Sequence, residues 1–176
     1  KVRTERVQKR RLTRDEVRKM ESLIGSVGGR RADVLDWWVF AFYAGGMRFG
    51  DLVTLQWSGV EWDGDPDNGG RPTYVRWRMR KTGDAAGVPL LPAAADVLVR
   101  WREKTGETSY VFGMITGEQE RNASVLFKAT NTFSALARKE LKQIAVKAEV
   151  PYVGFHGARH SLADTLRKSG VPVATI

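Results

Sequence analysis

One stretch limits what this chain can fold into more than any other. Residues 33–44 carry Val34, Leu35, Trp37, Trp38, Val39, Phe40, Phe42 and Tyr43, with Asp33 and Asp36 the only charged groups. A helix that is apolar all round has no face for water and must be buried. We therefore expect a central core helix, with both aspartates in its first turn, where carboxylates suit the helix dipole. Gly45-Gly46 stops it. At 176 residues the chain is long enough to bury such a helix within one domain.

The segments on either side follow from local rules. Residues 1–11 hold Lys1, Arg3, Arg6, Lys9, Arg10 and Arg11 against the single acid Glu5, which reads as a basic arm or linker ahead of a domain over 12–176. Thr13-Arg14-Asp15-Glu16 forms a capping box, and Leu12 and Val17 are placed as its hydrophobic staple. That helix turns Val17, Met20 and Leu23/Ile24 inward and ends at Gly28-Gly29. After the core helix, Leu52, Leu55 and Trp57 suit a short helix packing back on it.

The middle of the chain changes period. Val60 to Trp62 reads as a short strand, followed by a turn-rich loop over 63–70 whose acids lack calcium-loop spacing. Then Val75, Trp77 and Met79 alternate with Arg76, Arg78 and Arg80, the pattern of a half-buried strand with a cationic outer face. Lys81 lies at the turn before a return strand at Val88-Pro89-Leu90. Pro92 opens a helix through Ala95, Val97, Leu98 and Trp101; residues 118–122 read as a polar loop. A long helix over 129–147 turns Phe133, Leu136, Leu141 and Ile144 inward, with Arg138, Lys139, Lys142 and Lys147 outward, where they suit a phosphate backbone. A last helix starts at His156 and runs to Gly170, and residues 171–176 begin something new. The fold class expected is α+β, mainly helical, with a small antiparallel β-sheet.

Charge points to the partner. There are 29 basic against 20 acidic residues, a net +9, which favours a polyanion, most simply double-stranded DNA. No cysteine is present, which removes disulfides and thiolate metal sites. No apolar run approaches membrane-spanning length, so no membrane is expected. His156, His160 and Asp164 stand at i, i+4 and i+8, a possible metal face, but Gly157 occupies the place where a zincin carries its Glu, and no third His exists. Neither a metal nor a cofactor is expected.

Three cationic features recur in a telling order. Arg48 follows the core helix with Asp51 three residues on; Lys81 sits on the hairpin; His156 and Arg159 share one helix face near its N-terminus. With their surroundings these resemble the catalytic domain of the tyrosine recombinase (phage integrase) family. Gly45-Gly46-Met47-Arg48-Phe49-Gly50-Asp51-Leu52-Val53-Thr54-Leu55-Gln56-Trp57 resembles the family's T-G-x-R-x-x-E-L-x-x-L-x-W box, with Gly45 for Thr and Asp51 for Glu. Lys81-Thr82-Gly83 is similar to the hairpin lysine, and His156-Gly157-Ala158-Arg159-His160 to H-x-x-R-H.

The resemblance implies a function and roles. It implies site-specific recombination or integration through a 3′-phosphotyrosyl intermediate. Arg48 and Arg159 would clamp the scissile phosphate, Lys81 would protonate the 5′-oxygen leaving group, and His156 would assist proton transfer and phosphate binding. Asp51 would orient Arg48, and His160 is expected to be buried and structural. It also implies other protomers of the same protein as partners on DNA and a cytoplasmic, nucleoid-associated location. The family's Leu-Gly-His box and nucleophilic tyrosine follow the H-x-x-R helix, whereas Tyr43, Tyr74, Tyr110 and Tyr152 all precede it. The expectation is thus of a truncated catalytic domain, without its N-terminal DNA-binding partner, that binds DNA but does not cleave it. A non-catalytic DNA-binding module and a type IB topoisomerase-like enzyme stay open as alternatives.

Overall fold

A computed structural model describes residues 10–170. Most of the basic arm expected over 1–11, and the new element expected over 171–176, lie outside the described residues. Seven helices and three strands follow in the order α1 (Arg14–Glu21), α2 (Arg30–Tyr43), α3 (Phe49–Val53), β1 (Val60–Trp62), β2 (Pro72–Arg78), β3 (Ala85–Pro89), α4 (Pro92–Thr105), α5 (Gly117–Arg121), α6 (Ala123–Lys147) and α7 (Phe155–Lys168). No helix among the described residues is long and apolar enough to cross a membrane.

Helix α2 is the core, as its composition requires. Every residue from Val34 to Phe42 is buried, and α1, α3, α4, α6 and α7 all pack on it. Aromatic rings lock it to its neighbours: Trp37 lies 6.3 Å from Trp101 of α4 and 6.1 Å from Phe133 of α6, while Phe40 meets Phe112 at 5.3 Å. Trp38, fully buried, also donates its indole N–H to the Val153 carbonyl at 3.1 Å, tying α2 to the segment that leads into α7. Truncating such a side chain to Ala costs about 3–5 kcal/mol.

Asp36 departs from expectation. The helix starts at Arg30, three residues earlier than the apolar pattern suggests, so Asp36 lies in its second turn and not its first. It is 5% exposed and faces α4, where it accepts from Arg100 Nη2 at 2.5 Å and from the Trp101 indole at 3.0 Å. A buried carboxylate is tolerated here because both of its oxygens are bonded.

Other boundaries also shift. The capping box at Thr13 forms with both reciprocal bonds, and Leu12 and Val17 are buried beside it. Helix α1, however, stops at Glu21: Ser22 Oγ turns back to the Lys19 carbonyl, and tighter i→i+3 bonds carry the chain through Leu23 and Ile24 to Gly25. The polar loop expected over 118–122 is instead the short helix α5, whose Thr116 and Gln119 form a second capping box. Helix α6 begins at Ala123, six residues before the expected start, because Asn122 Oδ1 accepts from both Ser124 N and Val125 N at 3.1 Å.

The sheet has the order β1-β2-β3, all antiparallel. Val60 pairs with Val75 on its buried face, and Val75 pairs with Val88. The predicted alternation on β2 holds: Val75 is buried and Trp77 half-buried, while Arg76, Arg78 and the following Arg80 are exposed. The return strand is longer than Val88-Pro89-Leu90, starting at Ala85 opposite Arg78.

Candidate active site

The turn after α2 builds the first half of the site. Gly45 and Gly46 take φ of +71° and +68°, which L-residues with a Cβ resist. They fold the chain back so that Met47 N bonds the Ala41 carbonyl at 2.8 Å and Met47 is buried. Arg48 then emerges at the N-cap of α3, half-buried, with Nη1 3.4 Å from Met79 Sδ at the end of β2.

The same turn touches the second half. A Cβ on Gly46 would lie 2.9 Å from Arg159 Cα, and Arg159 Nη1 donates to the Gly46 carbonyl at 3.2 Å. Helix α7 is positioned from beneath by Ala158 and Ser161, both fully buried, and by Phe155, whose ring lies 4.7 Å from that of Phe49 on α3. This leaves His156 exposed and Arg159 half-buried in the first turns of a 14-residue helix, where the dipole favours an anion.

Arg48, His156 and Arg159 line one cavity of about 410 Å³ between the α2–α3 turn, α6 and α7. Arg138 and Ser134 of α6 and Tyr152 of the loop before α7 complete its polar wall, and among the described residues no carboxylate lines it. Several arginines elsewhere are paired with acids: Arg100 with Asp36, Arg102 with Asp67, Arg31 with Glu140 and Arg76 with Glu61. A concave site with several cations and no acid concentrates positive potential and suits an anion.

The other predicted residues surround this cavity without all entering it. Lys81 is exposed on the β2–β3 turn and is not among the lining residues. Asp51 is 3% exposed and, rather than forming an ion pair with Arg48, accepts the backbone N–H of Arg80 at 2.9 Å. His160, expected to be buried, is half-buried; its Nε2 lies 3.0 Å from His156 Nε2, so one imidazole donates and the other accepts. Arg76, Arg78 and Arg80 line a separate groove of about 450 Å³ together with Trp77 and Glu120. Lys139 and Lys142 are exposed on α6, and Lys142 Nζ sits 6.0 Å from the centre of the Tyr152 ring.

Asp164 does not join the two histidines. It binds Arg11 at 3.0 Å, Arg167 at 2.8 Å and Lys168 at 2.9 Å, and bonds from Lys168 and Arg167 hold its carboxyl down at about 2. Among the described residues no three His, Asp or Glu gather as they would around a metal ion. Burial and then Glu21 push the Tyr43 phenol well up; burial and then Glu120 do the same for Tyr110. Tyr74 lies in the sheet, paired with Glu61 and Pro89. Of the four tyrosines only Tyr152 lines the cavity. Its place there, and that of Arg138, follow from tertiary packing that no local motif announces.

The fold and site define an α+β domain that gathers arginines and a histidine around an anion-sized cavity. The chain belongs to the phage integrase family, whose model matches residues 10–176. Among solved structures it is similar to XerA recombinase, with a TM-score of 0.63 and 17% identity over 99% of this chain and 55% of that one. It is also similar to a lambda integrase (75–356) dimer bound to a COC′ core site, with a TM-score of 0.57 and 20% identity over 97% of this chain and 56% of that one. The lambda integrase catalytic core gives a TM-score of 0.53 and 20% identity, over 90% of this chain and 84% of that one. The fold is therefore that of the tyrosine recombinase catalytic domain, and this chain spans little more than half the length of the first two structures. No curated protein matches its sequence.

Proposed function

We propose that this domain seats and activates a DNA phosphodiester for site-specific recombination. The observation that carries this is the convergence of Arg48, His156 and Arg159, drawn from segments more than 100 residues apart in sequence, on one carboxylate-free cavity. Arg48 and Arg159 hold the two non-bridging oxygens and offset the charge that grows there as the phosphorus becomes five-coordinate. A tyrosine oxygen attacks phosphorus, the P–O5′ bond breaks, and the 5′-oxygen leaves as a hydroxyl with a proton from Lys81. His156 accepts the proton that the attacking tyrosine gives up and, so protonated, hydrogen-bonds the phosphate. The 3′-phosphotyrosyl bond retains the energy for rejoining.

Lys81 has to reach the phosphate from an exposed hairpin turn. Its root is held by Asp51 through Arg80 N, so the carboxylate registers hairpin and Arg48 together. The exposed arginines of β2, with Lys139 and Lys142 of α6, track the duplex backbone on either side. Further protomers of the same protein on the DNA, as in the lambda integrase dimer on its core site, complete the assembly.

One observation favours a second reading. With Lys81 outside the cavity, the domain could bind DNA without cutting it. Both readings share one test. Duplex affinity should fall steeply with salt, and Arg48→Gln with Arg159→Gln should flatten that dependence, by about 0.9 in log–log slope for each phosphate no longer neutralised. Salt-independent binding, or an unchanged slope in the double variant, overturns the clamp.

A further inference from the structure

Two arginines already satisfy one phosphodiester. A phosphodiester carries a single negative charge, and Arg48 and Arg159 already bring two positive charges to it. The cavity nevertheless has a third guanidinium, Arg138, which the sequence places among the outward cations of a long helix that suit a phosphate backbone, and not in the clamp. Its stem starts from a fixed point: Leu141, one turn on, is 1% exposed and anchors α6, while Ser134, one turn back, lines the same cavity. Among the described residues Arg138 has no hydrogen-bond or ion-pair partner, although Glu140 two residues on is taken by Arg31. Beyond it, Lys142 sits on the next turn against the Tyr152 ring, so positive charge continues from the cavity along α6.

We infer that Arg138 is a positioning residue that binds a second phosphate, adjacent to the scissile one on the same strand, and so sets which phosphodiester enters the Arg48–Arg159 clamp. This rests on the clamp reading and adds to it a site for a dinucleotide step rather than a lone phosphate. Tyr152 and Ser134 line the same cavity as Arg138 and Arg159 and carry hydroxyls able to donate to a sugar–phosphate link.

The test uses this chain and a short random-sequence duplex, with affinity followed against salt. Arg138→Gln should reduce the log–log slope by about 0.9, the clamp variant Arg48→Gln/Arg159→Gln by a similar amount, and the triple variant by the sum, since separate phosphates release separate counterions. Arg138→Lys should restore the slope, and thermal unfolding of Arg138→Gln should match the parent because the side chain is exposed. An unchanged slope for Arg138→Gln, with Arg48→Gln/Arg159→Gln still lowering it, overturns this inference and leaves the clamp standing. A triple variant no lower than Arg48→Gln/Arg159→Gln overturns it as well, since all three arginines would then share one phosphate. An Arg48→Gln/Arg159→Gln slope equal to the parent's overturns clamp and inference together.

Discussion

Asp51 Oδ1 accepts the backbone N–H of Arg80 at 2.9 Å, and the carboxylate is almost wholly buried. This one bond joins the short helix that Arg48 caps to the residue before Lys81. Two arms of the site, 33 positions apart in sequence, are thus joined by a buried carboxylate, alongside the Arg48 Nη1–Met79 Sδ contact at 3.4 Å.

Replacing Asp51 should therefore act on the hairpin first. Asp51→Ala leaves a buried N–H without its acceptor, a cost of about 1–3 kcal/mol. Asp51→Asn keeps a carbonyl acceptor and should cost less. Urea unfolding checks the stability, and amide exchange at Arg80 should speed up in the Ala variant alone. Equal exchange in all three proteins would contradict the assignment.

Gly46 makes a different demand. Its positive φ and the 2.9 Å approach to Arg159 Cα mean that Gly46→Ala must strain the turn and push α7 outward. We expect a decrease of roughly 1–3 kcal/mol in stability, together with weaker duplex binding as Arg159 moves away from Arg48. Melting temperature and anisotropy titrations measure the two effects. A variant equal to the parent in both would show that the approach is slack.

Asp164 links acid sensitivity to the last turn of α7. Its folded carboxyl is held at about 2 against an ordinary 3.8, through bonds first from Lys168 and Arg167, with the charge of Arg11 adding to them. A depressed pKa stabilises the fold above the ordinary value, and that contribution is lost as pH falls from about 3.8 towards 2. Asp164→Asn should be less stable than the parent near neutrality, and the two unfolding curves should converge over this acid window. A constant difference down to the lowest pH would refute the linkage.

Lys81 can be tested through its leaving group. In a polypeptide that continues past Ile176 and supplies a tyrosine nucleophile, Lys81→Ala should cleave an ordinary duplex about 100- to 10,000-fold more slowly. A duplex whose 5′-bridging oxygen is replaced by sulfur should restore the rate, because a thiolate leaves without a proton. Equal slowing on both substrates would remove Lys81 from the role of acid.

The parts legible from sequence are those set by neighbouring residues. Thr13 and Glu16, the apolar run of α2 and the Val75–Arg80 alternation each name their own element. Helix α5 escapes such reading although Thr116 and Gln119 carry the same signal as Thr13 and Glu16, because no apolar period follows them. The setting of Asp36 is hidden because its partners, Arg100 and Trp101, lie on another helix. The same holds at the site: the family boxes mark Arg48, His156 and Arg159, while Arg138 and Tyr152 reach the cavity only when α6, α7 and the turn after α2 are brought together around it. Spacing suggests that Asp51 serves Arg48 alone, and the fold gives its bond to Arg80.

On the function proposed above, the role of Arg48 and Arg159 is to stabilise phosphoryl transfer beyond merely binding DNA. It is tested most directly by covalent complex formation on a nicked suicide duplex, again in a polypeptide carrying a tyrosine after α7. Arg48→Ala and Arg159→Ala should each slow the appearance of the phosphotyrosyl complex by about 100- to 1,000-fold while retaining much of the salt-sensitive duplex binding. Covalent yield and rate equal to the parent's in either variant would contradict the account.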